Sequence, residues 1–337
     1  VRREVIARGV VSLFLARPGT QMAPAPYTPG QFVTLVLPSA QGPVYRAYSL
    51  SSSGRLDQPW EITIKRQGRV SSYLHDKITV GMILSVNQPG GVFVLPRQVL
   101  RDRTLVFIAV GSGITPIIGM LRALSQMPAA QRPPVQLHYA SRHLDDIIYR
   151  RELEHLDPQR TWLHQWHYLS TAGQRLTASQ IIARVGSGAH QALYYLCGPG
   201  SLHRDFQTHL GHIGVAPAQI HTETFAAEGA ASQAATIPQS RPAAYVSIQQ
   251  TGAVIDALPY ETLLAALERH GYRPAYSCRV GTCGTCKLRV LSGRAQPSGG
   301  NVLTQSEQAA GYVLSCIAIP QGNMTLADGG LPPIAGM

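Results

Sequence analysis

Three of the five cysteines in this 337-residue chain fall within nine positions, Cys278, Cys283 and Cys286, in the stretch SCRVGTCGTC. A fourth, Cys316, follows downstream, and the fifth, Cys197, stands far upstream. Thiolates this close can pair as disulfides or hold metal. A disulfide framework suits a short secreted chain; this chain is long, has an odd number of cysteines and shows no signal peptide in its opening residues. A structural zinc site pairs two close-spaced hooks, and here the second hook would be the lone Cys316. The pattern C-x4-C-x2-C with one distant cysteine encloses a [2Fe–2S] cluster, because two irons share four thiolates and one loop must bring three sulfurs around them. Gly281 and Gly284 permit the tight, left-handed backbone that such a loop needs and let amides approach the sulfurs. Cys278, Cys283, Cys286 and Cys316 are therefore the expected metal ligands.

The elements that must carry this loop are legible around it. ETLLAALERHG (261–271) has apolar residues at helical spacing and ends in glycine. AYVSIQQTGAVIDA reads as a hairpin turning near Thr251–Gly252, and CKLRVLSG and VLSCIAIP each read as a strand. Residues 243–337 thus resemble a plant-type ferredoxin, a β-grasp sheet with one crossing helix.

The remaining chain is long enough for one or two further domains. An apolar content of 45% and a mean hydropathy near zero describe an ordinary globular chain. The longest uncharged run, Thr104 to Leu121, contains GSGITP and reads as strand, loop and helix start; no transmembrane segment is expected. Of the net charge of +11, +10 lies in the first 242 residues. No basic run, finger or aromatic basic stripe accompanies it, so no nucleic acid partner is expected; a basic surface here suits phosphate-bearing cofactors or an acidic protein. The histidines of HQWHY lack metal-ligand spacing and read as structural. The stretch AAEGAASQAATIPQSRPAA (226–244) has little to bury and reads as a tether.

A cluster carries single electrons and needs a source, so the first 225 residues should contain one. PGQFVTLVLP is a turn and a strand, and VYRAYSLSSS (44–53) ends another. EITIKRQGRVSSYLHD (61–76) is a strand, a loop with Gly68 and a helix starting near Ser71, whose free N–H groups suit a phosphate. TLVFIAVGSGITPIIGMLRAL (104–124) runs a buried strand through a glycine loop into a helix, with Pro116 where the third glycine of G-x-G-x-x-G would stand. Further strand–helix pairs follow: VQLHYASR with DDIIYRRELEHL, WLHQWHYLS with TASQIIARV, and ALYYLCGPG with SLHRDFQTHLGHIG. Such alternation implies a doubly wound parallel sheet. Cys197 lies at the C-terminal end of its strand, where such sheets bind ligands.

Taken in order, RAYS, GRVSSYL, GSGITP, CGPG and TETF (222–225) resemble the motifs of the ferredoxin–NADP reductase superfamily. With the ferredoxin module last, the chain is similar to reductase components of oxygenase and desaturase systems, of the phenylacetyl-CoA epoxidase reductase and vanillate demethylase reductase kind. The resemblance implies a multidomain fold: an antiparallel β-barrel flavin domain (1–100), an α/β doubly wound NAD(P)H domain (101–225), a linker (226–242) and a β-grasp (α+β) ferredoxin domain (243–337). It implies that Tyr48 packs on the flavin ring, Ser49 bonds near its N5, and Cys197 sits where the nicotinamide meets it; these three are the expected catalytic residues. Arg46 with Ala47, and Gly68, Val70 and Ser71, would hold the flavin and its phosphates. Gly111, Gly113, Thr115 and Gly198 would line the coenzyme channel, and Glu223 and Phe225 would close the other side of the flavin. Arg142, with Ser141, Ser170 and Arg175, is a candidate for a coenzyme 2′-phosphate, so NADPH is favoured and NADH left open. FAD is expected, with an FMN enzyme of the phthalate dioxygenase reductase type as the alternative. A reading from another class, a non-enzymatic iron–sulfur carrier or sensor, has no use for GSGITP and CGPG. The partner implied is a terminal oxygenase, monooxygenase or desaturase, and a cytoplasmic monomer is expected.

Overall fold

The computed structural model describes residues 2–38, 44–96, 102–225, 243–272, 274–276, 279, 281, 284–298 and 302–327. The chain divides into two compact units, Val1–Leu35 with Tyr48–Phe225, and Val36–Ala47 with Ala226–Met337. The inferred linker lies outside the described residues.

The first part of the chain forms strands β1 (Arg2–Ala7), β2 (Val10–Leu15), β3 (Phe32–Leu37), β4 (Val44–Ser49) and β5 (Trp60–Lys65), helix α1 (Arg69–Lys77) and strand β6 (Ser85–Val86). They make two three-stranded sheets, in the orders β1-β2-β5 and β4-β3-β6, and Leu50 bridges Ile62. Helix α1 begins two residues earlier than the sequence suggested. Ser71 is its third residue, and its Oγ accepts from the N–H groups of Gly68 (2.8 Å) and Gln67 (3.0 Å). The hydroxyl therefore secures the start of the helix from inside it.

A doubly wound domain follows: β7 (Leu105–Val110), α2 (Ile114–Ser125), β8 (Val135–Ser141), α3 (Arg150–Leu156), β9 (Leu163–Leu169), α4 (Ala178–Val185), β10 (Leu193–Cys197), α5 (Gly200–His212) and β11 (Ile220–Glu223). The five strands are parallel, in the order β11-β10-β7-β8-β9. The period-2 alternation of β7 sends Leu105, Phe107 and Ala109 into one core with Ile114, Ile117, Ile118 and Leu121 of α2. Its neighbours Val106 and Ile108 enter a second core with Ala178, Ile181, Phe206 and Leu210 of α4 and α5. A strand buried on both faces must be apolar throughout, which is why LVFIAV lacks polar residues. The stretch DDIIYRRELEHL is not one helix: Ile147 and Ile148 are buried in the first core, Tyr149 takes a left-handed conformation (φ 60°), and α3 starts only at Arg150.

The C-terminal unit contains β12 (Ala244–Ile248), β13 (Val254–Ala257), α6 (Leu263–Arg269), β14 (Lys287–Ser292), β15 (Ala295–Pro297), α7 (Gln305–Ala309), β16 (Tyr312–Leu314), β17 (Ala318–Pro320) and β18 (Met324–Leu326). Its main sheet has the order β13-β12-β18-β14-β16, with β12 and β18 parallel. Ala244, Val246 and Ile248 face a core closed by Leu263, Ala266 and Leu267 of α6. Two details differ from the sequence reading. A second short helix, α7, is capped by Thr304, whose side chain accepts from the Glu307 N–H. VLSCIAIP is also two strands, β16 and β17, with Cys316 in the turn between them.

Among the described residues, no helix is long and apolar enough to cross a membrane.

Candidate active site and metal centre

Three motifs converge at the end of β10. Cys197 is its last residue, fully buried, and pairs in register with Ala109 of β7 on one side and Glu223 of β11 on the other. The chain leaving β7 turns at once through Gly111 (φ 56°), whose carbonyl accepts from the Tyr139 hydroxyl at 2.9 Å. Gly113 then passes so near Cys197 that a Cβ there would lie 2.1 Å from the Cys197 carbonyl oxygen and 3.3 Å from Sγ. Only glycine allows that approach. Thr115 is buried and its Oγ1 donates to the Ser112 carbonyl at 3.0 Å, which stiffens the loop. Gly198 donates its N–H to the Glu223 carbonyl at 3.3 Å. The Glu223 Oε2 lies 4.0 Å from the Cys197 Sγ. Burial, and secondarily the Glu223 charge, pushes the Cys197 thiol well above its ordinary range, so it stays neutral.

The strand that should face a flavin is β4. Ser49 is buried, and its Oγ has no hydrogen-bond partner among the described residues. An unmatched buried hydroxyl costs on the order of 1–3 kcal/mol, so this atom fits a bound group that hydrogen-bonds it. Arg46 and Tyr48 are half-buried and Ala47 is exposed. Of the expected phosphate-binding residues, Gly68 precedes α1 and Val70 and Ser71 are buried in its first turn. The Ser71 hydroxyl serves the helix start, so the dipole and amides of that first turn are what the segment offers an anion. Arg142 follows β8 with an exposed side chain, and its carbonyl accepts from the Thr171 N–H (3.2 Å) and Oγ1 (2.5 Å). Phe225 is exposed.

Of the four expected metal ligands, Cys278 and Cys283 lie outside the described residues. Cys286 and Cys316 are both buried, with sulfurs 3.2 Å apart. That separation is far beyond a disulfide bond of about 2.05 Å. It is near the spacing of two thiolates on one metal ion, whose bonds run about 2.3 Å each. The N–H of Ser315 donates to the Cys286 carbonyl at 3.0 Å and fastens the turn of one ligand to the loop of the other. The Ser315 Oγ is fully buried and has no hydrogen-bond partner among the described residues. Gly281 (φ 78°) and Gly284 (φ 73°) are left-handed as anticipated, and so is Arg279 (φ 57°). Arg279 was not foreseen. Its guanidinium forks onto Glu268 of α6, with one bond of 2.9 Å, and lies 3.9 Å from the Tyr276 ring centroid. This clamp holds the left-handed backbone at Arg279.

Residues 4–95 match the oxidoreductase FAD-binding domain, 107–208 the oxidoreductase NAD-binding domain and 246–321 the 2Fe-2S iron-sulfur cluster binding domain. The ferredoxin reductase component of 3-ketosteroid-9-alpha-monooxygenase from Rhodococcus rhodochrous is 33% identical over 306 residues, covering 87% of this chain and 85% of that protein. The glycine betaine monooxygenase reductase subunit of Pseudomonas aeruginosa is 31% identical over 331 residues, covering 89% and 87%. The solved structure of phthalate dioxygenase reductase has the same fold, with a TM-score of 0.66 at 24% identity over 97% of this chain and 96% of that one. The chain belongs to the family of reductase components that join an FAD domain, an NAD(P)H domain and a [2Fe–2S] ferredoxin domain.

One expectation arises directly from the buried thiol. Cys197→Ala should slow flavin reduction by NAD(P)H about tenfold, the scale of a misplaced reacting pair. In the unaltered protein the rate should show no cysteine ionisation between about pH 6 and 9, because the raised thiol remains protonated throughout. Stopped-flow at the flavin band across that range measures both. A wild-type inflection near an ordinary thiol value, abolished in Cys197→Ala, would contradict the neutral-thiol assignment.

Proposed function

We propose that this chain supplies electrons to a separate terminal oxygenase, taking them from NADPH at the Cys197 site and delivering them through the cysteine-bound centre. When bound, FAD would supply the conversion of a two-electron hydride into single electrons, and a [2Fe–2S] cluster would supply one-electron transfer. The chain's own residues do the rest. Gly111, Gly113 and Thr115 shape the loop that receives the nicotinamide, and Cys197 and Glu223 wall the reacting position and exclude water. Tyr48 and Ser49 hold the flavin ring, and the first turn of α1 holds its phosphates. The observation that carries this reading is the convergence of GSGITP, CGPG and TETF on one buried thiol. An iron–sulfur carrier without hydride chemistry has no need of such a site. The choice of an oxygenase follows from the relatives, whose names are those of monooxygenase reductases. The test is anaerobic mixing with NADPH or NADH, followed by addition of a purified Rieske-type oxygenase component. The flavin band should bleach first, and the oxygenase should then re-oxidise the cluster. A flavin that neither coenzyme bleaches would overturn the reading.

The preference for NADPH rests on Arg142 at the end of β8. Arg142→Ala should raise the KM for NADPH about tenfold and leave that for NADH within about twofold, since one charge-assisted phosphate contact is removed. Equal shifts for both coenzymes would remove Arg142 from the 2′-phosphate site.

A further inference from the structure

Helix α2 starts at the nicotinamide loop, and its middle lies against the segment that follows the flavin strand. A Cβ on Gly119 would meet the carbonyl oxygens of Leu50 and Ser52, each at 2.8 Å. The helix backbone is therefore in close contact with the three residues after Ser49. One turn further on, the Arg122 Nη1 donates to the Ser51 carbonyl at 2.8 Å and to the Glu61 carboxylate. Its Nε and Nη2 bond both oxygens of Glu152 at 2.6 and 2.7 Å, and the guanidinium stands 4.9 Å from the Tyr149 ring centroid. Glu61, on β5, is buried. Its Oε1 accepts from the Ser12 Oγ (2.6 Å) and from the hydroxyl of Tyr149 (2.8 Å), the residue held left-handed before α3. Arg122 and Glu61 thus join strands β2 and β5 to helices α2 and α3.

We infer that Gly119, Arg122 and Glu61 are positioning residues for hydride transfer, clamping α2 and its nicotinamide loop at a fixed height over the flavin strand. The inference rests on the site reading above. An α-helix moves as a rigid rod over the five residues from Ile114 to Gly119, about 7.5 Å. A displacement at Gly119 therefore reappears at Gly113. Desolvating a charge pair offsets most of its Coulomb gain, so the Arg122–Glu61 pair does little for stability. A planar fork sharing three fixed acceptors does restrict geometry, and a lysine cannot reproduce it.

The test uses the full-length holoprotein and three variants. Arg122→Lys keeps the charge and loses the fork; Gly119→Ala lifts the helix off Leu50–Ser52; Glu61→Gln keeps the shape and removes the charge. Arg122→Lys and Gly119→Ala should slow flavin reduction at saturating coenzyme about ten- to hundredfold, the cost of displacing reacting atoms by up to an ångström. KM should stay within about twofold, FAD and iron contents should match wild type, and dithionite should still reduce the cluster. Amide hydrogen exchange, which needs no turnover, should accelerate together in 48–53 and 111–117 in Arg122→Lys. A merely structural pair would lower the melting temperature and leave the rate per folded molecule unchanged, and that result would overturn the inference. If Gly119→Ala does not fold, Arg122→Lys decides, and Glu61→Gln should slow flavin reduction in the same direction. If neither coenzyme reduces the wild-type flavin, the function reading fails; exchange then decides the clamp alone, and unchanged exchange in both segments overturns it.

Discussion

Cys286→Ser and Cys316→Ser should each strip iron and sulfide from the protein while leaving flavin reduction by NAD(P)H intact. The two sulfurs lie 3.2 Å apart in a buried pocket, so neither can be replaced by water without opening the turn at Ser315. Serine offers a harder oxygen ligand to an iron site that selects soft thiolates. Electron delivery to a one-electron acceptor such as cytochrome c should fall about a hundredfold or more, since two protein ligands of one centre fix the pathway. Ser49, Gly113 and Cys197, the residues proposed for hydride transfer, belong to the other compact unit, so the flavin band should still bleach at the wild-type rate. Iron analysis, visible spectra and stopped-flow separate the two effects. A full iron complement in both variants would refute the ligand assignment. Cys278→Ser and Cys283→Ser carry the same expectation from their spacing.

Gly113→Ala should be as severe at the other site. Its Cβ would lie 2.1 Å from the Cys197 carbonyl oxygen and 2.8 Å from the carbonyl carbon, both backbone atoms of a strand paired on both sides. Neither can yield, so the loop must withdraw by about 1 Å, a misplacement that costs on the order of a hundredfold in rate. Flavin reduction should slow by that factor, with iron and FAD contents preserved. At Gly111 a Cβ meets nothing within 4 Å, but the residue sits at φ 56°, so Gly111→Ala should cost about 1–2 kcal/mol of stability through its backbone conformation. Equal rates for Gly113→Ala and wild type would show that the loop does not form the coenzyme channel.

What was legible from residues alone is what local chemistry dictates. Ligand spacing is a property of one loop, so Cys278, Cys283, Cys286 and Cys316 stood out before any fold was known. Left-handed backbone at Gly281 and Gly284 followed from the absence of a Cβ. Alternating apolar runs joined by glycine loops announced the parallel sheet, because burial on both faces constrains each strand separately. Tertiary structure decided the rest. Ser71 was read as the start of α1 and is instead its third residue, since a hydroxyl can cap from either side of the first turn. DDIIYRRELEHL has the composition of a helix; burial of Ile147 and Ile148 and the hydrogen bonds of the Tyr149 hydroxyl outweigh local propensity and break it. Arg279 precedes the two glycines of a loop that seemed to need only glycine, and its left-handed backbone is held by Glu268 on another element. Arg122 reads as an ordinary helix cation and Glu61 as an ordinary strand carboxylate, 61 residues apart. No window along the chain contains both. They meet because β5, α2 and α3 pack together, and Gly119 lets α2 lie against the backbone of Leu50–Ser52.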